Sequence, residues 1–137
     1  MRRVVLVVVV LGVILAGGGI LVAFGWPLIY RWQHEETTAQ AQKETRRLAD
    51  GYAGDLRTLL AGRWPTDQQV RELGNGYEVR VAHVTNQRPS VKVEVETITT
   101  VRESFGGGLF RACFQVEATR AVGGVRTSVT PGGDCSG

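Results

Sequence analysis

The stretch Phe110-Arg111-Ala112-Cys113-Phe114-Gln115-Val116-Glu117-Ala118 alternates without a slip. Phe110, Ala112, Phe114, Val116 and Ala118 fall on one face, and Arg111, Cys113, Gln115 and Glu117 on the other. A period of two predicts a strand with one face in a core and one toward solvent. Sheets that face water on one side are characteristically antiparallel. Cys113 points away from the apolar face, an odd place for an unpaired thiol.

Reading toward the C-terminus, Gly123-Gly124 is a two-residue hairpin signal. A turn there pairs Val122 with Val125 and Ala118 with Val129. Continuing that register brings Cys135 to within one residue of Cys113. Pro131, Gly132 and Gly133 break the ladder and permit the adjustment. The chain has two cysteines, so a Cys113–Cys135 disulfide is expected, formed in an oxidising compartment. Closing a loop of this size is worth roughly 3 kcal/mol in the chain-entropy treatment. It also ties down a tail that would otherwise fray. His34 and His83 lack zinc-site spacing, so no metal and no cofactor are expected.

Reading toward the N-terminus, the same period recurs twice. Val91, Val93 and Val95 alternate with Lys92, Glu94 and Glu96, and Tyr77, Val79 and Val81 alternate with Glu78 and Arg80. Residues 86–89 and the glycines 106–108 are the connecting turns. The alternation slips at Thr97-Ile98, which predicts a bulge there. Before the strands, Leu48, Tyr52, Leu56, Leu59 and Leu60 form one stripe of a helix. Gly51 and Gly54 weaken it by about 1 kcal/mol each relative to alanine, and Gly62 ends it. Thr66 and Gln69 make a capping box after Pro65. A short helix over about 67–73 follows, closed by Gly74-Asn75-Gly76.

At the other end of the chain, residues 4–30 contain no charge. As a helix they span roughly 40 Å, enough to cross a bilayer with some tilt. A domain this small has no core to hide such a helix. Trp26, Tyr30 and Trp32 supply the side chains that settle at a membrane interface. Arg2 and Arg3 precede the run, and after Arg31 no cation follows until Lys43, so the N-terminus is expected inside the cell. No cysteine lies near the run, which excludes a lipid-modified anchor. A cleaved leader is the alternative, since Ala23-Phe24-Gly25 resembles a cleavage site, but the apolar run is longer than leaders carry. Gly12, Ala16, Gly19 and Ala23 share one helix face, the small-xxx-small pattern of close helix packing. That face is expected to self-associate or to dock on a partner transmembrane helix; ordinary glycine and alanine enrichment is the plainer reading.

The expected organisation is a cytoplasmic tip and transmembrane anchor over 1–32, a polar stalk over 33–45, and an extracytoplasmic domain over 46–137. The fold class is α+β. After the N-terminal transmembrane helix, an amphipathic helix and a short helix pack on a four-stranded antiparallel meander. In element order over about 45–131 this layout resembles cystatin-like and NTF2-like domains. It also resembles the membrane-anchored NTF2-like domains of VirB8-type secretion scaffolds and of Mce-associated actinobacterial proteins. The resemblance rests on no motif residue and transfers no functional residue. A pilin-like arrangement has similar order, but the prepilin processing pattern is missing.

Chemistry is sparse. Ser90, Ser104, Ser128 and Ser136 sit in no nucleophile elbow. His83 reads as an edge residue, and Glu94 and Glu96 as a solvated face. The triple glycine joins two strands and has no Lys-Ser/Thr after it, so it is a turn and not a phosphate loop. The net charge is +3; Arg2 and Arg3 account for most of it, and Arg46-Arg47 is flanked by Glu44 and Asp50. No nucleic-acid footprint results. The expectation is a single-pass cell-membrane protein, not an enzyme, with its C-terminal domain extracytoplasmic. Its partners would be the lipid bilayer and either a second copy or another transmembrane helix. It would scaffold, or bind a partner in, an envelope or secretion assembly. Two alternatives are a small-ligand-binding NTF2-like domain, with Trp64, Tyr77, Phe110 and Phe114 lining its pocket, and a cleaved, secreted small domain.

Overall fold

The structure, a computed structural model, describes residues 35–103 and 106–135. Residues from Thr38 onward form one compact unit. The expectations placed on Gly12, Ala16, Gly19, Ala23, Trp26, Tyr30 and Trp32 lie outside the described residues. Among the described residues no helix is long and apolar enough to cross a membrane.

Helix α1 covers residues 35–61. Its buried positions are Ala41, Thr45, Ala49, Tyr52, Ala53, Leu56 and Leu60, the spacing of one helical face. The stripe read from the leucines is therefore off-centre. Leu48 and Leu59 flank the buried line, half-buried, and small side chains occupy its middle. Ala49 and Ala53 carry nothing to hold the helix off the sheet. Thr45 is buried because its hydroxyl donates back to the Ala41 carbonyl at 3.0 Å, which satisfies it within the helix. Residues 38–45, read as a stalk, thus belong to α1 and carry two buried positions.

Gly51 has a steric reason. A Cβ there would lie 2.8 Å from Cε1 of Tyr77. The ring of Tyr77 lies on the bare helix backbone, and its hydroxyl donates to Asp55 at 2.9 Å.

Helix α2 runs Asp67–Asn75 with the complete Thr66–Gln69 capping box. It extends past the expected stop, because Gly74 lies inside it and Gly76 is the C-cap. A Cβ on Gly74 would meet the Val79 carbonyl at 2.6 Å. That glycine is needed for helix-to-strand approach, not for termination. The hydroxyl of Tyr52 donates to the Val70 carbonyl at 2.9 Å and joins the helices in the interior. Burial pushes the phenol pKa above its ordinary value.

The sheet is an antiparallel meander in the order β1-β2-β3-β4. The strands are β1 (Val79–Gln87), β2 (Ser90–Glu103), β3 (Gly106–Ala121) and β4 (Gly124–Pro131). Two helices and this sheet make the fold α+β.

Three details differ from expectation. Gly106, Gly107 and Gly108, read as a turn, open β3 and pair with Glu103, Arg102 and Val101. The bulge is not at Thr97-Ile98: β2 stays in register with β3 through Glu103↔Gly106. It lies in β1, between Val81 and His83. The odd spacing from Val81 to Val84 would send Val84 to solvent in a regular strand. The extra residue keeps Val84 opposite Val93 and Asn86 opposite Val91, both on the core face.

The last turn is also displaced. Val122-Gly123 forms the loop, Ala121 pairs with Gly124, and Ala118 pairs with Thr127 instead of Val129. Gly124 takes φ +116°, so the glycine pair is used with one member in the turn and one at the positive-φ position after it. The shift of two residues preserves which side chains face the core.

Val91, Val93, Val95, Val116 and Ala118 of the sheet are fully buried with Tyr52, Leu56 and Leu60 of α1. On the other face Cys113 and Cys135 are joined, Cα to Cα 6.0 Å. Under the displaced register the ladder ends at Phe114↔Pro131. Gly132 donates from its amide to the Cys113 carbonyl at 2.9 Å. Gly132 and Gly133 then turn at φ +107° and +122°, and this brings Cys135 back over Cys113.

Candidate functional site: the helix linker groove

Residues 62–66, Gly-Arg-Trp-Pro-Thr, join α1 to α2. Such a segment offers few backbone partners, so side chains from the sheet must hold it. Asn86 of β1 does so. Its side-chain oxygen accepts from Trp64 Nε1 at 2.8 Å. Its amide nitrogen donates to the Pro65 carbonyl at 3.0 Å and to Asp67 Oδ1 at 2.9 Å.

Arg120 of β3 holds the other side. Its Nε donates to the Leu60 carbonyl at 2.9 Å, and its Nη2 donates to the Leu60 and Gly62 carbonyls. A guanidinium thereby closes the negative end of the α1 dipole. The same group lies 5.5 Å from the centroid of Trp64, and the guanidinium of Arg88 lies 5.4 Å from it. Arg88 and Pro89 form the loop of the first hairpin, joined by a cis peptide bond. The indole is thus fixed at its nitrogen and flanked by two cations, a favourable arrangement for its π face.

Trp64 borders a groove of about 900 Å³. Leu59, Leu73 and the indole give it an apolar floor, and Arg63 and Arg88 stand at its rim. Of the nearby carboxylates, Asp55 accepts from Tyr77 and Asp67 from Asn86. The bond to Asp55 holds the Tyr77 phenol above its usual pKa. Arg63 makes no ion pair among the described residues, and Asp55, which keeps its charge while it accepts from Tyr77, lines the same groove. The groove therefore presents apolar surface edged by two arginines and one carboxylate.

The four residues expected to line one pocket do not meet. Trp64 borders this groove. Tyr77 borders a separate depression with Leu48 and Ile98. Phe114 is buried in the core, and Phe110 is half-buried on β3. The expected pocket position, against the apolar sheet face, is filled by Tyr52, Leu56 and Leu60. Glu96 is also not a solvated carboxylate. It is buried between Arg80 at 3.5 Å and Arg111 at 3.6 Å, and it pairs across the sheet with Cys113. Glu94 approaches the tail at Gly133.

Asn86, Arg88 and Arg120 were not singled out from the sequence. Asn86 reads as a turn residue, and only the bulge puts it on the core face. The available signal was Trp64 itself. An indole just past a helix stop requires an acceptor for its N–H, but the pattern does not say which strand supplies it.

Among the described residues, no group of three or more His, Cys, Asp or Glu is placed to hold a metal ion. Comparison with known protein families, characterised proteins and solved structures finds no match.

Proposed function

We propose that this protein is a non-enzymatic partner-binding module, anchored by residues 1–32 in the cell membrane with its disulfide-bonded domain on the outer side. The groove at Trp64 is the docking site. The observation that carries this reading is its surface: Leu59, Leu73 and Trp64 give it apolar area, and Arg63 and Arg88 outnumber Asp55 among its charged lining residues. Such a surface suits a protein segment with an apolar side chain flanked by carboxylates. The space a small ligand would use in an NTF2-like domain is taken by α1 side chains, which favours docking of a protein over capture of a metabolite. The Cys113–Cys135 disulfide supports an oxidising compartment.

The test is site-specific photocrosslinking in native membranes. A photoreactive residue at Thr58, exposed on the groove, is expected to trap a discrete partner, and Arg63→Glu should abolish the adduct. The same residue at Ser128, on β4, should not trap that partner. Equal adducts from both sites, or adducts that survive Arg63→Glu, would remove the groove as the docking site.

A further inference from the structure

The two edges of the sheet differ. β1, at one edge, carries the bulge between Val81 and His83, and Arg71 donates from Nη1 to the Val81 carbonyl at 3.4 Å. A bulge and a side chain laid on the edge both obstruct the addition of a strand. β4, at the other edge, pairs with β3 without a slip from Ala121↔Gly124 to Phe114↔Pro131. Hydrogen-bonded and non-bonded pairs alternate along an antiparallel ladder. Gly132 donates to the Cys113 carbonyl, so Gly124, Arg126, Ser128 and Thr130 bond inward to β3. Val125, Thr127 and Val129 direct their N–H and C=O groups outward, and these groups have no backbone partner among the described residues. Pro131 has the same outward parity, so its missing N–H is a loss on the free edge alone. The tail does not shield this edge, since it turns at Gly132 and Gly133 over the outer face to Cys113.

The side chains say what fits there. On the outer face Lys92 of β2, Glu117 of β3 and Ser128 of β4 stand in one row. Lys92 lies 3.6 Å from Glu117, whose side chain is still 40% exposed. Ser128 is short and leaves that carboxylate open toward the edge. Arg126 is exposed and makes no ion pair among the described residues. A strand added antiparallel outside β4, with an arginine opposite Ser128, brings its guanidinium within reach of Glu117.

β4 is itself such a strand. A two-fold axis at Thr127 sets Arg126 of each copy opposite Ser128 of the other and Val125 opposite Val129. It also brings Val122, wholly exposed at the turn, near Pro131 of the second copy. An axis at Arg126 would oppose two guanidinium groups. An axis at Ser128 would set Pro131 against Val125 and lose two donors. We infer that two copies of this chain pair through β4, antiparallel about Thr127, into one sheet continuous across both. About six backbone hydrogen bonds join the strands, and Arg126 of each copy meets Glu117 of the other. The interface is small, so the association is weak. No residue lining the Trp64 groove lies on β4, so this inference and the docking reading stand or fall separately.

The test uses the full chain with its native disulfide oxidised, in mild detergent at high protein concentration. A nitroxide is attached at Gln87→Cys, exposed on β1 and away from the paired edge, and distances between copies are read by pulsed dipolar spectroscopy. Seven strand spacings separate the two labels, so a maximum at about 30 to 35 Å is expected. Ser128→Lys, an exposed change that sets a lysine opposite Arg126 of the second copy, should reduce the paired fraction several-fold. Adding Arg126→Glu to Ser128→Lys restores opposite charges across the axis and should recover it. The absence of a distance between copies overturns the inference. So does a broad distribution with no maximum in that range, which indicates association elsewhere in the chain. A paired fraction unchanged by Ser128→Lys, or not recovered in the double variant, overturns the pairing about Thr127.

Discussion

Trp64 donates its indole N–H to the side-chain oxygen of Asn86 at 2.8 Å, so that β1 holds the linker between the two helices. The same amide also donates to Pro65 and Asp67. One side chain therefore positions the floor of the groove, the entry to α2 and the edge of the sheet. Asn86→Ala leaves the partly buried indole and the Pro65 carbonyl without partners. A loss of about 2 kcal/mol is expected, because deserted polar groups cost more than a hydrogen bond contributes. Asn86→Asp keeps the acceptor for Trp64 but loses both donors and sets a second carboxylate against Asp67. It should be at least as destabilising near neutral pH. Urea unfolding followed by tryptophan fluorescence checks both; a midpoint unchanged in Asn86→Ala would show that Asn86 does not hold the linker.

Tyr52 and Tyr77 both have phenols with raised pKa, Tyr52 by burial and Tyr77 by its bond to Asp55. In the unfolded chain a tyrosine ionises near pH 10. Above that pH the unfolded state has released a proton that the folded state retains, so stability falls as pH rises. Below pH 10 the contribution is fully present. Tyr52, the buried one, should dominate, because Tyr77 is screened by solvent. Unfolding free energy measured between pH 8 and 11 is expected to fall steeply in the wild type and less in Tyr52→Phe. The same variant should lose about 1 kcal/mol at neutral pH with its bond to Val70. Equal alkaline slopes would contradict the role of burial at Tyr52.

Three glycine-to-alanine changes should rank in a fixed order. Gly54 faces open space, so Gly54→Ala should stabilise α1 by up to about 1 kcal/mol. Gly51→Ala has the same helical gain but pushes the Tyr77 ring, with its bond to Asp55, out of place. Its net effect should lie near zero or below. Gly74→Ala drives a methyl into the Val79 carbonyl. Backbone cannot swing aside as a ring can, and this variant should be the least stable of the three. Thermal melts of the set test the ranking.

Replacing Cys113 and Cys135 together by serine should cost roughly 3 kcal/mol, the loop-closure contribution for this separation. The effect should be local in the native state. Hydrogen exchange should speed up at Gly132, whose amide bonds the Cys113 carbonyl, while the amides of central β2 and β3 keep their relative order of protection. Equal loosening of the whole sheet would show that the tail does more than cover one face.

The alternation at Phe110–Ala118 was enough to assign β3, its core face and the outward thiol, because strand periodicity is a local property. The capping box of α2 was legible for the same reason, since its two bonds span three residues. The helix stripe was legible only in outline. Large leucines mark it in sequence, but close approach to the sheet selects Ala49 and Ala53 for its centre. The bulge in β1 and the turn at Val122-Gly123 were misplaced, since each depends on which partner strand is in register. Of the docking groove, only Trp64 was legible.

The sequence by itself determined the α+β class, the core faces of β2, β3 and β4, and the identity of the disulfide partners. It also supplies the apolar run on which the membrane reading depends. Tertiary structure alone decided that Asn86, Arg88 and Arg120 converge on Trp64, and that α1 fills the position where a ligand pocket was expected. The physical reason is range. Periodicity, capping and turn propensity act over a few residues. The bonds that build the groove join Trp64 to Asn86 and Arg120 to Leu60 across long stretches of chain, and no local pattern records them.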